Sequence, residues 1–370
     1  MIKIFIALSL CFSFINEISA KQLHFALLSA GDAQEDFWRP VEDFALQAAE
    51  QLDVKLTILH TSNSKRKLFT MLEKAKELNV DAAIFPSDGQ AGLKLLELAE
   101  QLKLPVLLFN SDLSEANKLL AGKPQQKLKY WLASMMPDNE QAGYLLGKHL
   151  IGQARQNNLT SENGLVEIIA INGTIANAPS QSRLAGLQRA IKEDANSILL
   201  QSVYGYWSRE KVYYKTPRLA KRHPNAKVYW AASDLMAIGA DEGLSDLGLV
   251  LGKDYLNGGV DWSERGFSAI KNGQLSASAG GHFMDGAWSV IMLYDHFNGS
   301  PFTTDTVNQL QSPMSLISNE KIDFLMHGLA SGDWSSIDFR ARSKTLNKQL
   351  KEYNFSPVSV IDELSLLKVR

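Results

Sequence analysis

The residues of this chain that could do chemistry are suited to recognition more than to reaction. Arg183, Asp234 and Asp261 are charged groups capable of directional hydrogen bonds, and Phe37, Trp38, Trp207 and Trp262 offer flat aromatic faces. A guanidinium presents a planar fork of donors, a carboxylate presents two acceptor oxygens, and a ring covers apolar surface. The groups needed for bond-making are not arranged for it. No Gly-x-Ser-x-Gly elbow, no Gly-x-Gly-x-x-Gly after the first expected strand and no phosphate-binding loop occurs. The seven histidines, at 24, 60, 149, 223, 282, 296 and 327, show neither His-x-x-x-His nor His-Glu spacing, so a metal site lacks support. No pair of carboxylates is identifiable as acid and base. The chain is therefore expected not to be an enzyme and to need no cofactor.

Each candidate also has a plainer use. Phe37 precedes a helix and could staple its start, which leaves Trp38 the better stacking face. Arg183 falls in the first turn of a helix, where the helix dipole opposes a cation, so an acceptor facing it in a cleft is expected. Asp234 could cap the helix that starts at Leu235, a use compatible with ligand contact because a carboxylate has two oxygens. Asp261 could be a turn residue at a strand end, and Trp262 could fill a gap between helices.

Positioning these groups falls to a repeating α/β pattern. Short apolar runs alternate with amphipathic stretches, as in βαβ units around a parallel sheet. Strands are expected over Leu23 to Ser29, Val54 to Leu59, Ala82 to Phe85 and Val106 to Phe109. Between the first two, Val41, Phe44, Ala45, Ala48, Ala49 and Leu52 fall at helical spacing, with Pro40 suited to a first turn. A second series follows: a helix from Asp138 to about Ile151, then strands Leu165 to Ile171, Ile198 to Tyr204, Val228 to Ala232 and Gly258 to Asp261. Ser180 and Ser208 stand where helix caps belong, and Gly273 ends a helix. Trp131 to Pro137 is the expected crossing between the two halves, acting as a hinge. After Ser315 a helix is expected over Ile322 to Leu329 and a final polar one near Ser343 to Tyr353, together covering the hinge.

At 370 residues, with 45% hydrophobic and 21% charged side chains, the chain is a soluble globular protein of about two domains. The 38 basic and 40 acidic residues give a net charge of -2, which disfavours nucleic acid as a partner. Residues 1–20 differ from the rest. Met1-Ile-Lys3 is a positive start, Ile4 to Ile15 an apolar stretch, and Ile18-Ser-Ala20 a small-residue cut site, so a cleavable export signal is expected. The only cysteine, Cys11, lies inside that stretch behind Leu10, which is not the small residue a lipoprotein signal wants. Beyond residue 20 no apolar run of about eighteen residues could span a bilayer, so no membrane insertion of the mature chain is expected.

Four segments together resemble the type I periplasmic binding proteins of the ribose-binding family, over nearly the whole mature chain. They are Asp36-Phe-Trp38-Arg, Ser180-Gln-Ser-Arg183-Leu-Ala-Gly186, Ala232-Ser-Asp234-Leu-Met-Ala-Ile-Gly239-Ala, and Gly259-Val-Asp261-Trp262 with Ala269-Ile-Lys-Asn-Gly273, Gly281-His282-Phe and Gly286-Ala. The resemblance implies two Rossmann-like domains with parallel sheets joined by a three-segment hinge, the ligand lying between them. It places the first lobe at residues 21–133 plus 281–313 and the second at 134–280 plus 314–370. All four segments sit where a strand gives way to a helix, the edge at which open α/β sheets bind ligands. A sugar, the ligand class implied, needs apolar faces for its C–H surfaces and fixed polar groups for its hydroxyls. Asp36, Phe37, Trp38, Asn110, Arg183, Trp207, Asp234, Asp261, Trp262 and His282 are the expected contacts. At Asn110-Ser111 the sequence departs from the Asp-Arg pair of ribose-binding relatives, removing a charged clamp. His282 stands where the family offers a polar hinge side chain, as a contact or a filler. The resemblance implies either delivery to a membrane ABC permease or, as in periplasmic autoinducer-2 receptors, report to a sensor kinase.

Overall fold

The run Phe25-Ala-Leu-Leu28 has no polar interruption, as suits a short strand covered on both faces, and all four side chains are fully buried in strand β1 (His24–Ser29). The computed structural model describes residues 21–31, 35–87, 91–175, 177–302, 308–318 and 321–367. The expected leader, residues 1–20, lies outside the described residues. After β1 come α1 (Trp38–Gln51), β2 (Lys55–His60), α2 (Lys65–Glu77), β3 (Ala82–Pro86), α3 (Gly92–Leu102), β4 (Val106–Phe109), α4 (Glu115–Ala121) and β5 (Trp131–Pro137). The second series runs α5 (Asn139–Gln156), β6 (Val166–Asn172), α6 (Ala178–Lys192), β7 (Ser197–Tyr204), α7 (Arg209–Arg222), β8 (Val228–Ala231), α8 (Asp234–Ser245), β9 (Leu256–Asp261), α9 (Glu264–Lys271) and β10 (Ala277–Gly280). The chain then forms α10 (Asp285–Phe297), β11 (Gln309–Ser312), β12 (Ser315–Ile317), α11 (Ile322–Ser331) and α12 (Pro357–Leu367).

Two six-stranded sheets result, in the orders β11-β5-β4-β3-β1-β2 and β12-β10-β9-β8-β6-β7. Pairing is parallel except between β10 and β12. Each sheet is doubly wound, so strand order reverses between β1 and β3 in one and between β6 and β8 in the other. Such reversals open a crevice at the strands' carboxyl ends. The chain passes between the sheets after β5, after β10, and between β11 and β12, and α10 packs back on α1 in the first lobe.

Three local expectations are corrected. Trp131–Pro137 is a strand of the first sheet, with Trp131 and Met135 buried, and the crossing lies at its end, so the first lobe runs past 133. Helix α6 is capped by Asn177, whose side chain accepts from the Ser180 backbone N–H, which places Ser180 inside the helix behind Pro179 in the first turn. Residues 343–353 are not a regular helix. The buried Asp295 carboxylate takes the Ser343 hydroxyl, the Lys344 and Thr345 backbone N–H groups and the Tyr353 hydroxyl, so both ends of the segment are fastened to α10.

Candidate functional site

Arg183 owes its position to two glycines. Helices α5 and α6 approach so closely that a Cβ on Gly143 would lie 1.9 Å from the Arg183 carbonyl oxygen, and one on Gly186 would lie 2.0 Å from that of Glu140. This contact sets the second turn of α6 against the start of α5; because the helix starts at Ala178 behind its Asn177 cap, Arg183 lies one turn deeper than the first-turn position expected for it, and it is buried there at 4% exposure. Its Nε donates to Asn139 Oδ1 at 2.8 Å, one terminal nitrogen donates to Ala232 O at 2.7 Å and Asp261 Oδ1 at 3.0 Å, and the other donates to His282 Nε2 at 3.0 Å. One guanidinium therefore ties together α5, the end of β8, the end of β9 and the hinge segment after β10. The acceptor anticipated for it is protein as well as cleft.

Electrostatics follow from this arrangement. Burial, with Arg183 adding to it, pushes the His282 imidazole well below its ordinary pKa, so the ring is neutral. A neutral ring facing an N–H donor at Nε2 must carry its own proton on Nδ1. Burial pushes the Asp261 carboxyl up to about 7, against the pull of Arg183 and with help from Asp234. Asp261 thus sits near neutrality between proton-bearing and charged forms.

These groups face a cavity of about 630 Å³ between the two sheets, within the range of small-molecule sites, roughly 300–1,000 Å³. The first lobe supplies Asp36, Phe37, Trp38 and Asn110, and the second supplies Arg183, Trp207 and Asp261, with His282 from the hinge. The Phe37 ring lies 4.7 Å from that of His282, and Trp38 meets Phe37 edge-on at 5.3 Å. The Arg183 guanidinium lies 5.8 Å from the Trp207 ring centre. At the rim, Asp36 pairs with Arg265 at 3.1 Å and Arg39 with Glu264 at 2.8 Å, so two ion pairs of opposite sense join the starts of α1 and α9.

Two expected contacts are absent from the cavity wall. Asp234 is fully buried: Oδ2 accepts from the Ser263 backbone N–H and hydroxyl, both at 3.0 Å, and Oδ1 accepts from the Ser278 hydroxyl at 2.6 Å. Nor does it cap its helix, because Ser233 does so by accepting from the Met236 N–H. Trp262 is 1% exposed, donates Nε1 to Ser278 O at 3.0 Å and packs against Phe267, the gap-filling use that its size allowed.

The wall also holds residues that sequence reasoning passed over: Thr61 and Asn63 after β2, Ser87 after β3, Asn177 capping α6, Tyr206 after β7 and Ser233 after β8. Every one follows a strand's carboxyl end, and that rule applied to residues with a hydroxyl or amide group would have found them. A separate mark is backbone strain. Asn110, Tyr206, Trp207, Asp261 and Trp262 have φ of 64°, 58°, 59°, 145° and 59°, a region costly for side-chain-bearing residues and tolerated where function holds it. Among the described residues no group of three or more His, Cys, Asp or Glu could hold a metal ion, and no helix is long and apolar enough to cross a membrane.

Comparison with known proteins agrees with this architecture. Residues 25–301 match the family described as periplasmic binding protein domain. The chain is 27% identical over 152 residues to the galactofuranose-binding protein of Escherichia coli (strain K12), covering 40% of this chain and 45% of that one. It is 28% identical over 138 residues to the D-allose-binding periplasmic protein of the same organism, covering 37% of this chain and 43% of that one. These matches span less than half the length of the curated relatives. The crystal structure of a periplasmic sugar-binding protein from Pseudomonas fluorescens superposes with a TM-score of 0.78 at 26% identity, over 91% of this chain and 99% of that one. With two doubly wound lobes facing one cavity and a family match spanning most of its length, the chain belongs to the periplasmic binding protein domain family.

Proposed function

We propose that this chain binds a monosaccharide in the cleft, closes on it, and presents it to a membrane ABC permease without changing it chemically. The observation that carries this reading is the composition of the two walls. Phe37 and Trp38 on one side and Trp207 on the other offer apolar faces. Asp261, fixed by Arg183, offers an acceptor and the Arg183 guanidinium a donor beside them, with the neutral His282 ring behind. Hydroxyls and C–H faces on a single small ring need this combination. The neutral Asn110, in place of a charged clamp, suits an uncharged sugar. Relatives named for galactofuranose and D-allose support the ligand class, and the absence of catalytic spacing supports binding without turnover.

Closure follows from differential affinity: only the closed form lets a ligand touch both lobes, so ligand shifts the population towards it. The leader, residues 1–20, would direct the chain to the periplasm and be removed there. A thermal-shift screen of the mature protein against galactofuranose, allose, ribose, other monosaccharides, polyols and autoinducer-2 tests the reading. A ligand at a hundred times its dissociation constant stabilises by about 2.7 kcal/mol, which the screen resolves. A shift with a sugar supports the proposal. A shift with autoinducer-2 alone would replace transport by sensing, and no shift with any sugar would overturn the ligand class.

A further inference from the structure

The segment that follows β12 lies beyond residues 25–301, the span of the family match, and it does more than cover the hinge. It leaves the second lobe through α11, which packs on α9, with Lys271 and Asp323 paired at 2.6 Å. At the end of α11 it meets the first lobe. Arg39 of α1 donates to the Leu329 carbonyl at 2.6 Å, and a Cβ on Gly332 would come within 2.9 Å of Asp43 Oδ2. The chain then enters the first lobe. Trp334, 1% exposed, packs on Phe44 and Phe283 with ring centres 5.1 and 5.6 Å away. Gln51 of α1 binds Ile337 O and Phe339 N, and Asp295 of α10 binds residues 343–345. Finally Pro357, opening α12, sits against the hinge glycine: a Cβ on Gly281 (φ 112°) would lie 2.2 Å from it, beside the cavity-lining His282. α12 then packs on α11.

We propose that this segment is a strap: a fourth link between the lobes, anchored on α9 at one end and on α1 and α10 at the other, which limits how far the cleft opens. The three hinge crossings lie together at one edge and leave rotation free about them. The strap adds an attachment away from that axis, joined to the rim by Arg39, the residue that also pairs with Glu264. Opening the cleft must separate α1 from α9, and the two anchors oppose that separation. Holding the ligand-free lobes nearer the closed geometry raises affinity by raising the competent fraction. This inference concerns the ligand-free protein, so it stands or falls independently of the sugar reading.

The test lengthens the strap and leaves its anchors in place. An insert of about six Gly and Ser residues carrying a protease site, placed between Gly332 and Asp333, adds a reach of about 13 Å and can be cut after folding. The mature chain has no cysteine, since Cys11 lies in the leader. Spin labels on Leu119→Cys and Leu247→Cys, which replace exposed residues of the first and second lobes, therefore report the interlobe distance cleanly. The expected result, without ligand, is a distribution broadened to longer distances by several ångströms in the insert variant and further after cutting, with thermal unfolding of the uncut variant near that of the wild type. Distributions that superpose on the wild type before and after cutting overturn the strap, and so does a tail that dissociates on cutting with interlobe distances unchanged.

Discussion

Replacing Arg183 by Ala is the most informative single perturbation. A guanidinium has five N–H donors, and four hydrogen bonds are accounted for, to Asn139, Ala232, Asp261 and His282, so one donor remains for a ligand. Removing the side chain strands a buried carbonyl, an amide oxygen, an imidazole nitrogen and a carboxylate. Breaking a buried charged pair typically costs about 3–5 kcal/mol. Asp261 limits that cost. Burial has already lifted its pKa to about 7, and without Arg183 it rises further, so the carboxyl can take up a proton instead of staying charged. We therefore expect the lower end, about 3 kcal/mol of stability by urea unfolding. Ligand affinity should fall by about tenfold or more, from the lost donor and from a displaced Asp261 and His282. Arg183→Lys restores a charge beside Asp261 but cannot span the same partners, so it should recover only part of each loss. Calorimetric titration beside the unfolding curves decides the matter. An alanine variant with wild-type affinity and less than about 1 kcal/mol of lost stability would show that the network is not what organises the wall.

Three further outcomes follow. Trp38→Ala and Trp207→Ala should each weaken binding and reduce the ligand-induced change in tryptophan fluorescence, whereas Trp262→Ala should cost about 3–5 kcal/mol of stability as a core truncation; equal affinity in the first two would remove the aromatic walls from the site. A sugar hydroxyl donating to Asp261 favours its charged form, so binding expels a proton below pH 7: affinity should be flat above about 7 and fall as pH drops, by at most about tenfold per unit, and a pH-independent dissociation constant from 5 to 8 would take Asp261 out of the contact set. Mass spectrometry of the periplasmic fraction should find Lys21 at the amino terminus, and an acylated species beginning at Cys11 would contradict the leader reading.

Much of the fold was legible because parallel strands buried on both faces announce themselves as apolar runs; Val106–Phe109 was read at its observed bounds. The misreadings share a cause. Trp131–Pro137 reads in sequence as a connection because it stands between two complete α/β series, and nothing local says that a strand belongs to the sheet behind it. Residues 343–353 have helical composition, yet both ends of the segment are held by the buried Asp295, about fifty residues away in sequence. Long-range hydrogen bonds of that kind leave no periodicity to read. Within the site, residue types identified the large and charged members, while the small polar ones, such as Ser87 and Ser233, look like any loop residue until the topology puts them at strand ends.

Asp234 and Trp262 show why a residue can be singled out correctly and given the wrong task. Asp261 and Trp262 both adopt positive φ, at a cost of about 1–3 kcal/mol each, and such a turn persists only if its surroundings over-determine it. Asp234 holds the next residue, Ser263, by two hydrogen bonds and reaches Ser278 with its other oxygen. Trp262 is pinned to that same Ser278, its indole donating to the carbonyl and its backbone N–H to the hydroxyl. One buried cluster therefore clamps the turn from both sides and leaves Asp261 projecting towards Arg183 and the cavity. Replacing Asp234 by Asn should show this division of labour. The amide can keep its oxygen on Ser263, but its nitrogen then donates to the Ser278 hydroxyl, which must turn its own proton away from its present acceptor, so stability should fall by about 1 kcal/mol. Affinity should fall with it through misplacement of Asp261, and the loss should come with a shifted pH profile, because the position and solvation of Asp261 set its titration. An Asp234→Asn protein that loses affinity while the pH profile stays in place would return Asp234 to direct contact with the ligand.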